Sequence, residues 1–203
     1  MPAARFPAHG PVALFVVLSG PSGAGKSTLM QRFVERYPDF LRCLSVTTRP
    51  PRGSELDGID YSFVSEQEFA DRVETNQLLE HAQVFGKHSY GTPRSFVESH
   101  LTAGRSVIKD VDVQGAFTIR GTFPGALHVF VVPPDRGEIE RRLRSRGTET
   151  EEAIRRRLNE ADRELTVWDR YDYLIINRDI ERAVDDLAVI VAAERLRVRR
   201  SHG

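Results

Sequence analysis

The chain has 203 residues, and 29 Lys plus Arg balance 29 Asp plus Glu, so its formal charge is zero. That length suits one α/β domain with a real core, with or without insertions. The charge balance removes any net pull towards nucleic acid or an anionic membrane surface, leaving room only for a local basic pocket. Residues 1–10 lack the apolar core of a signal peptide, and no run approaches the length of a membrane span. Cys43 is the sole cysteine, which rules out an intrachain disulfide and fits a reducing compartment. The expectation is a soluble cytoplasmic protein with a loose N-terminal decapeptide, no nucleic-acid or membrane partner and no obligate protein partner.

Val12 to Leu18 is a continuous apolar run rich in β-formers, which reads as a buried parallel strand. Gly20-Pro21-Ser22-Gly23-Ala24-Gly25-Lys26-Ser27 follows and fits the phosphate-binding pattern G-x-x-x-x-G-K-[ST]. From Ser27 to about Tyr37, Leu29, Met30, Phe33 and Val34 recur at helical spacing. The motif therefore sits between a strand and a helix, where its mechanism needs it. Its glycines let backbone N–H groups turn towards phosphate oxygens, and the helix N-terminus adds positive potential. Lys26 supplies a point charge for β- and γ-phosphates, and the Ser27 hydroxyl is a candidate Mg²⁺ ligand.

Leu41 to Val46 reads as a second strand, with Cys43 as a buried structural thiol. It runs into Ser45 to Gly53, which is turn-rich, with Arg49 and Arg52 three apart. Two prolines stiffen it, so the arginines can both face one phosphate, or can be solvated charges on a loop. Tyr61–Val64 is a short strand, and Ser65 with Glu68 makes a capping box for a helix through Phe69 and Val73. Leu78 to Phe85 is a further strand. Residues 45–95 thus depart from simple strand–helix alternation and read as an inserted region.

Pro93 to Leu101 reads as a helix ending at Gly104, and Ser106 to Asp112 as a strand ending in acids. Ligands collect at the carboxyl ends of strands in an open parallel sheet, so Asp110 and Asp112 join the phosphate loop there, with Asp110 a second candidate metal ligand. Val113–Arg120 is a helix. Leu127–Val132 is a buried strand whose His128 reads as a hydrogen-bonded sheet histidine. Arg136 to Arg170 is charged and helical, interrupted at Gly147-Thr148, and is either a solvated hairpin or an arginine-bearing lid. Tyr173–Asn177 is the last strand, Asp179 caps a terminal helix, and the basic tail beyond residue 195 reads as a solvated end.

Taken together, Gly-Pro-Ser-Gly-Ala-Gly-Lys-Ser at 20–27, Ser-Val-Thr-Thr-Arg-Pro-Pro-Arg at 45–52 and Asp-Gly-Ile-Asp-Tyr-Ser-Phe-Val at 57–64 resemble the guanylate kinases. So do Leu-Glu-His-Ala at 79–82, Tyr-Gly-Thr-Pro at 90–93, Asp-Val-Asp-Val-Gln-Gly-Ala at 110–116, Arg-Gly-Thr-Glu-Thr at 146–150 and Tyr-Asp-Tyr at 171–173. The resemblance runs from about residue 13 to 191. It implies a P-loop NTPase-type open parallel sheet with flanking helices: core 11–44, 95–134 and 171–195, a GMP-binding region at 45–94 and a helical lid at about 135–170. It implies transfer of the γ-phosphoryl group of ATP to GMP, and to dGMP, with Mg²⁺.

By position the resemblance makes Ser45, Arg49, Arg52, Tyr61, Glu80, Tyr90, Thr92 and Asp112 GMP contacts, with a Glu80 carboxylate and a Thr92 hydroxyl reading guanine. ATP falls to Gly20 through Ser27, Thr28 and Asn177, the last near the adenine. Lys26, Arg49, Arg142, Arg146 and Arg157 are the implied phosphoryl-transfer cations. Two departures stand out. Gly53-Ser54-Glu55 replaces the usual Pro-Gly-Glu, and four residues rather than three separate Gly86 from Gly91. A non-catalytic guanylate-kinase-like scaffold and a P-loop kinase of a phosphorylated sugar are the alternatives. The intact Lys26-Ser27 weighs against the first, and Glu80 with Thr92 against the second.

Overall fold

The computed structural model describes residues 12–84, 87–145 and 150–197. In chain order it begins with strand β1 (Phe15–Ser19), helix α1 (Lys26–Arg36) and strand β2 (Phe40–Arg42). Then come β3 (Val46–Thr47), β4 (Ser62–Phe63), α2 (Glu66–Glu74), β5 (Leu78–Val84) and β6 (His88–Pro93). The rest is α3 (Arg94–Thr102), β7 (Ser106–Asp110), α4 (Val113–Thr122), β8 (Leu127–Val132), α5 (Arg136–Arg144), α6 (Glu151–Glu164), a 3-10 turn (Leu165–Arg170), β9 (Tyr173–Ile176) and α7 (Ile180–Leu196).

Five strands form a parallel sheet in the order β2-β7-β1-β8-β9. Every residue of β1 is buried, because the strand is paired on both sides and covered on both faces. Its side chains alternate. Val16 and Leu18 pack with Met30, Phe33, Val184 and Leu187 of α1 and α7. Phe15 and Val17 pack with Val97, Ala116 and Ile119 of α3 and α4. A second sheet, β4-β3-β6-β5, is drawn entirely from residues 46–93, with Val46, Phe69 and Leu78 between it and α2. Helices α5 and α6 share a small core of Ile139, Leu143, Ile154, Leu158 and Ala161. Side chains of Ser65, Asp112, Asp135, Thr150 and Asp179 accept the backbone N–H three residues on and start α2, α4, α5, α6 and α7. Among the described residues no helix is long and apolar enough to cross a membrane.

Several expected boundaries move. The single strand expected over 41–46 is two strands in two sheets. Cys43 N–H still bonds Ile108 on the main sheet, after which the chain crosses to pair Val46 with Ser62 and Gly91. Periodicity cannot register a change of partner inside one extended run. Cys43 is nevertheless a buried thiol, and burial pushes its pKa up to about 12, so it is unreactive. The strand expected over 106–112 stops at Asp110, because Asp112 turns to cap α4. Residues 88–92, expected as no element, form β6 together with Pro93, and the helix expected from Pro93 starts at Arg94. The charged stretch after 136 resolves into α5, α6 and the 3-10 turn, and the expected interruption at Gly147-Thr148 lies outside the described residues.

His128 departs most from expectation. It is 1% exposed, and among the described residues neither ring nitrogen has a hydrogen-bond partner. Its backbone is tied to Asp172, N–H to Oδ2 at 2.8 Å and O to the Asp172 N–H at 3.0 Å, while the ring lies edge-on to Tyr171. Burial, with Arg120 nearby, lowers its pKa to about 4 against a weaker opposing pull from Asp172.

Two outcomes follow from this packing. Gly20 has φ +136°, and a Cβ there would run into the Val131 carbonyl of β8, so Gly20→Ala should lower stability by at least about 2 kcal/mol in urea denaturation. A change under about 0.5 kcal/mol would contradict so close an approach. For His128 the folded pKa lies below the unfolded one, so the unfolded state binds the proton more readily. Stability is full above the ordinary histidine pKa and is lost as pH falls from about 6.5 to about 4, by up to about 3 kcal/mol. His128→Leu should remove that part of the acid slope, and an unchanged difference between pH 7 and pH 4.5 would refute it.

Candidate active site

The phosphate loop leaves the carboxyl end of β1. Gly20, Gly23 and Gly25 all have positive φ, and α1 begins at Lys26. The Lys26 ammonium curls back over the loop, donating to the carbonyls of Gly20 at 2.6 Å and Pro21 at 3.0 Å. The Ser27 hydroxyl donates to Asp110 Oδ2 at 2.6 Å, joining the first helical turn to the end of β7. Buried Lys109 bonds the Asp110 carbonyl at 2.8 Å and its Oδ1 at 3.4 Å. Burial alone would raise the Asp110 pKa. Lys109, the Ser27 bond and Lys26 overcome it and hold the carboxyl below its usual range. An ionised carboxylate and a hydroxyl therefore stand beside an amide-lined loop. No group of three or more His, Cys, Asp or Glu capable of holding a metal occurs among the described residues. Two oxygen ligands still fit Mg²⁺, which takes most of its shell from water and phosphate.

Beside the loop, a cleft of about 270 Å³ is lined by Gly23, Gly25, Thr28, Arg142, Ser145, Asn177 and Ile180. Pro21, Ser22 and Ala24 complete the loop, with Ala24 N–H bonded to the Pro21 carbonyl at 3.1 Å. Asn177, just past β9, is buried and donates from Nδ2 to the Ala24 carbonyl at 2.8 Å. Arg142 of α5 donates to the carbonyls of Asn177, Ala24 and Gly23 at 3.1–3.4 Å and is held from behind by Glu138 at 2.6 Å. Arg157 of α6 reaches the Ser22 hydroxyl at 3.4 Å. Arg146 lies outside the described residues.

Glu164 closes α6. Burial raises its pKa to about 7; Lys26 opposes the rise, while Glu160 and Asp112 add to it. Sequence reasoning did not single it out, since one glutamate in a helix rich in them carries no signal. Lys109 was also passed over. Its signal was available, because a lysine inside a fully buried strand requires a charged partner.

The second sheet gathers the other candidates into two clusters. In the first, Glu80 is 7% exposed and its Oε1 accepts the Thr92 hydroxyl at 2.6 Å. The β5–β6 register slips between Leu78 and His81, so Glu80 lies in an irregular stretch of the kind that re-aims a side chain. Asp112 Oδ1 accepts the Gly115 N–H at 2.6 Å. A methyl group on Gly115 would stand 3.2 Å from Asp112 Oδ1 and 3.3 Å from Glu80 Oε2, so the glycine leaves space where the two carboxylates converge. Burial raises the Glu80 pKa, and Asp112 adds to it, while Thr92, Lys109 and His81 pull it back. The hydroxyl of Thr92 has one proton, and here it is committed to Glu80 rather than free for a purine O6.

In the second cluster Arg49 is 4% exposed. It donates to Tyr90 Oη at 3.0 Å, to the Pro50 carbonyl at 2.8 Å and to both oxygens of Glu55 at 2.8 and 3.0 Å. Its guanidinium stacks 5.1 Å from the Tyr61 ring, and Tyr61 meets Tyr90 edge-on at 6.1 Å. Despite the longer spacing before Gly91, Tyr90 pairs with Thr47 and Ala82 and its hydroxyl still reaches Arg49; Gly86 itself lies outside the described residues. The Ser45 carbonyl accepts the Ser62 N–H at 2.9 Å. Arg52 is exposed, and its N–H donates to Glu55 Oε2 at 2.8 Å. Of the two readings left open for these arginines, a solvated charge does not hold for Arg49, which is buried against Glu55, six residues on in a loop without periodicity.

The family model for guanylate kinase matches residues 13–194. The guanylate kinase of Desulfitobacterium hafniense is 46% identical over 192 residues, 95% of this chain and 94% of that protein. The guanylate kinase of Myxococcus xanthus is 45% identical over 191 residues, 94% of this chain and 91% of that one. The crystal structure of guanylate kinase from Anaplasma phagocytophilum superimposes with a TM-score of 0.74 at 33% identity, covering 93% of this chain and 89% of the other. An extended parallel sheet with a phosphate loop at its centre, a second sheet carrying a buried Glu–Thr pair, and likeness along nearly the whole chain lead to one conclusion: this chain belongs to the guanylate kinase family.

Proposed function

We propose that this chain transfers the γ-phosphoryl group of ATP to GMP, and to dGMP, giving ADP and the nucleoside diphosphate. The single observation that carries the choice of acceptor is the buried Glu80–Thr92 pair, since a phosphate loop alone does not define what receives the phosphoryl group. Guanine presents N1–H and N2–H side by side, and an ionised Glu80 accepts both. Adenine would set its N1 lone pair against that carboxylate. ATP is assigned to Gly20–Ser27, Thr28 and the cleft at Asn177. GMP is assigned to Ser45, Arg49, Arg52, Tyr61, Glu80, Tyr90, Thr92 and Asp112.

The GMP phosphate is itself the nucleophile and is largely ionised at neutral pH, so no strong general base is needed. The barrier is the repulsion between two anions. Lys26, Arg52, Arg142, Arg146 and Arg157 are assigned to oppose it, with Arg49 contributing a hydrogen bond to the acceptor phosphate; Arg142 and Arg157 reach the site from α5 and α6, which act as a lid that excludes water. Mg²⁺, for which Ser27 and Asp110 are the candidate ligands, supplies charge neutralisation at the β- and γ-phosphates when bound. The bond from Ser27 to Asp110 and the intact Lys26 weigh against a scaffold without catalysis, and a sugar-phosphate acceptor would have no use for buried Glu80.

Turnover assayed with ATP and a panel of nucleoside monophosphates and sugar phosphates tests this reading, and GMP should be preferred. Lys26→Met should retain under about a tenth of the wild-type kcat, a barrier rise above ~1.4 kcal/mol, with the thermal midpoint little changed. Higher residual turnover would remove Lys26 from the transition state. Glu80→Ala should cut the GMP-to-AMP ratio in kcat/KM by at least about a hundredfold while KM for ATP stays within about twofold. If the ratio is the same in the variant, the base is read elsewhere.

A further inference from the structure

Arg49 has five N–H donors, and the bonds to Tyr90, to Pro50 and to the two oxygens of Glu55 use four of them, leaving one on Nη2. Glu55 grips the guanidinium with both oxygens in the forked geometry that makes arginine–carboxylate pairs specific. Its Oε2 also accepts the Arg52 N–H at 2.8 Å, and its own N–H donates to the Arg52 carbonyl at 3.0 Å. One carboxylate therefore ties the side chain of Arg49 to the backbone of Arg52. This has an electrostatic consequence: paired with Glu55, Arg49 brings no net charge to an anion, and exposed Arg52 is left to bring it. It has a geometric one as well, since the carboxylate sets where Arg52 stands relative to Arg49 and Tyr90. Arg49 is buried, and stripping its carboxylate would leave an uncompensated charge.

We infer that Glu55 is a positioning residue for the acceptor phosphate: it stays on Arg49 when the nucleotide binds, leaves Arg49 a single Nη2 N–H for the phosphate, and places Arg52 as the cation that meets the phosphate charge. This rests on the reading of the second sheet as the GMP site. The opposite arrangement makes Glu55 a stand-in anion that the phosphate displaces from Arg49, in which case removing it would tighten GMP binding.

Calorimetric titration with GMP and with guanosine, which lacks the phosphate, separates these. Glu55→Gln keeps the shape but turns an amide N–H₂ towards donors. It should weaken GMP by about tenfold, raise KM for GMP in parallel, and leave guanosine affinity and KM for ATP within about twofold. Arg52→Ala, an exposed position that should not disturb folding, should weaken GMP at least about tenfold with guanosine unchanged. Adding Glu55→Gln to it should then cost less than about threefold more. Tighter GMP binding in Glu55→Gln overturns the inference in favour of displacement. An equal loss for guanosine and GMP overturns it in favour of general loop damage, as does Arg52→Ala leaving GMP within about twofold of wild type. If the wild-type chain binds guanosine as tightly as GMP, the phosphate site itself is misplaced and the role of Glu55 falls with it, an outcome visible before any variant is made.

Discussion

The arrangement hangs on β1, a five-residue strand with parallel partners on both sides and helices on both faces. Because it is held from four directions, its carboxyl end is a fixed point, and the loop leaving it can be strained. Gly20 turns with positive φ against the Val131 carbonyl of the neighbouring strand, and Lys26 closes the turn by bonding the loop's own carbonyls. The groups that surround the loop come from the ends of the adjacent strands: Asp110 from β7 and Asn177 from just past β9. A parallel sheet orients all its carboxyl ends one way, so groups far apart in sequence meet at one edge once the crossovers have returned the chain to the other.

Around that edge the protein buries charge in compensated units. Lys109 is matched by Asp110 and Arg49 by Glu55, while Glu80, whose pKa burial raises, accepts a hydrogen bond from the Thr92 hydroxyl. Isolated ions in such places would neutralise or unfold the site, whereas pairs with satisfied hydrogen bonds keep their charge and a defined geometry. The pairs also limit what each residue can offer a ligand. Thr92 has given its proton away, Arg49 has one donor to spare, and donors of Arg142 and Asn177 hold the phosphate loop. Residue identity alone overstates the free hydrogen-bonding capacity of this site.

His128 shows the opposite case, a buried polar ring with no partner among the described residues, compensated by a pKa that burial holds low. It lies on β8, whose flanking residues are apolar, so the sequence offered no hint that its nitrogens would go unmet. Whether a buried polar atom finds a partner depends on what other elements bring within 3.5 Å, and that is decided by packing rather than by the strand itself.

By themselves, the residues determined the parallel α/β class, the strand–loop–helix of the phosphate site, the capped starts of α2 and α7 and the family. These are local: hydrophobic period, glycine placement and cap chemistry act over a few residues and survive in any context. Tertiary structure alone decided that residues 40–47 divide between two sheets, that 88–93 is a strand, and that Glu80 sits at a register slip. It also decided the partners: Glu55 for Arg49 and Lys109 for Asp110. Pairing of strands and of charges depends on distance in space between segments that are apart in sequence, and no local pattern encodes which of several equivalent charges will arrive first at a buried partner.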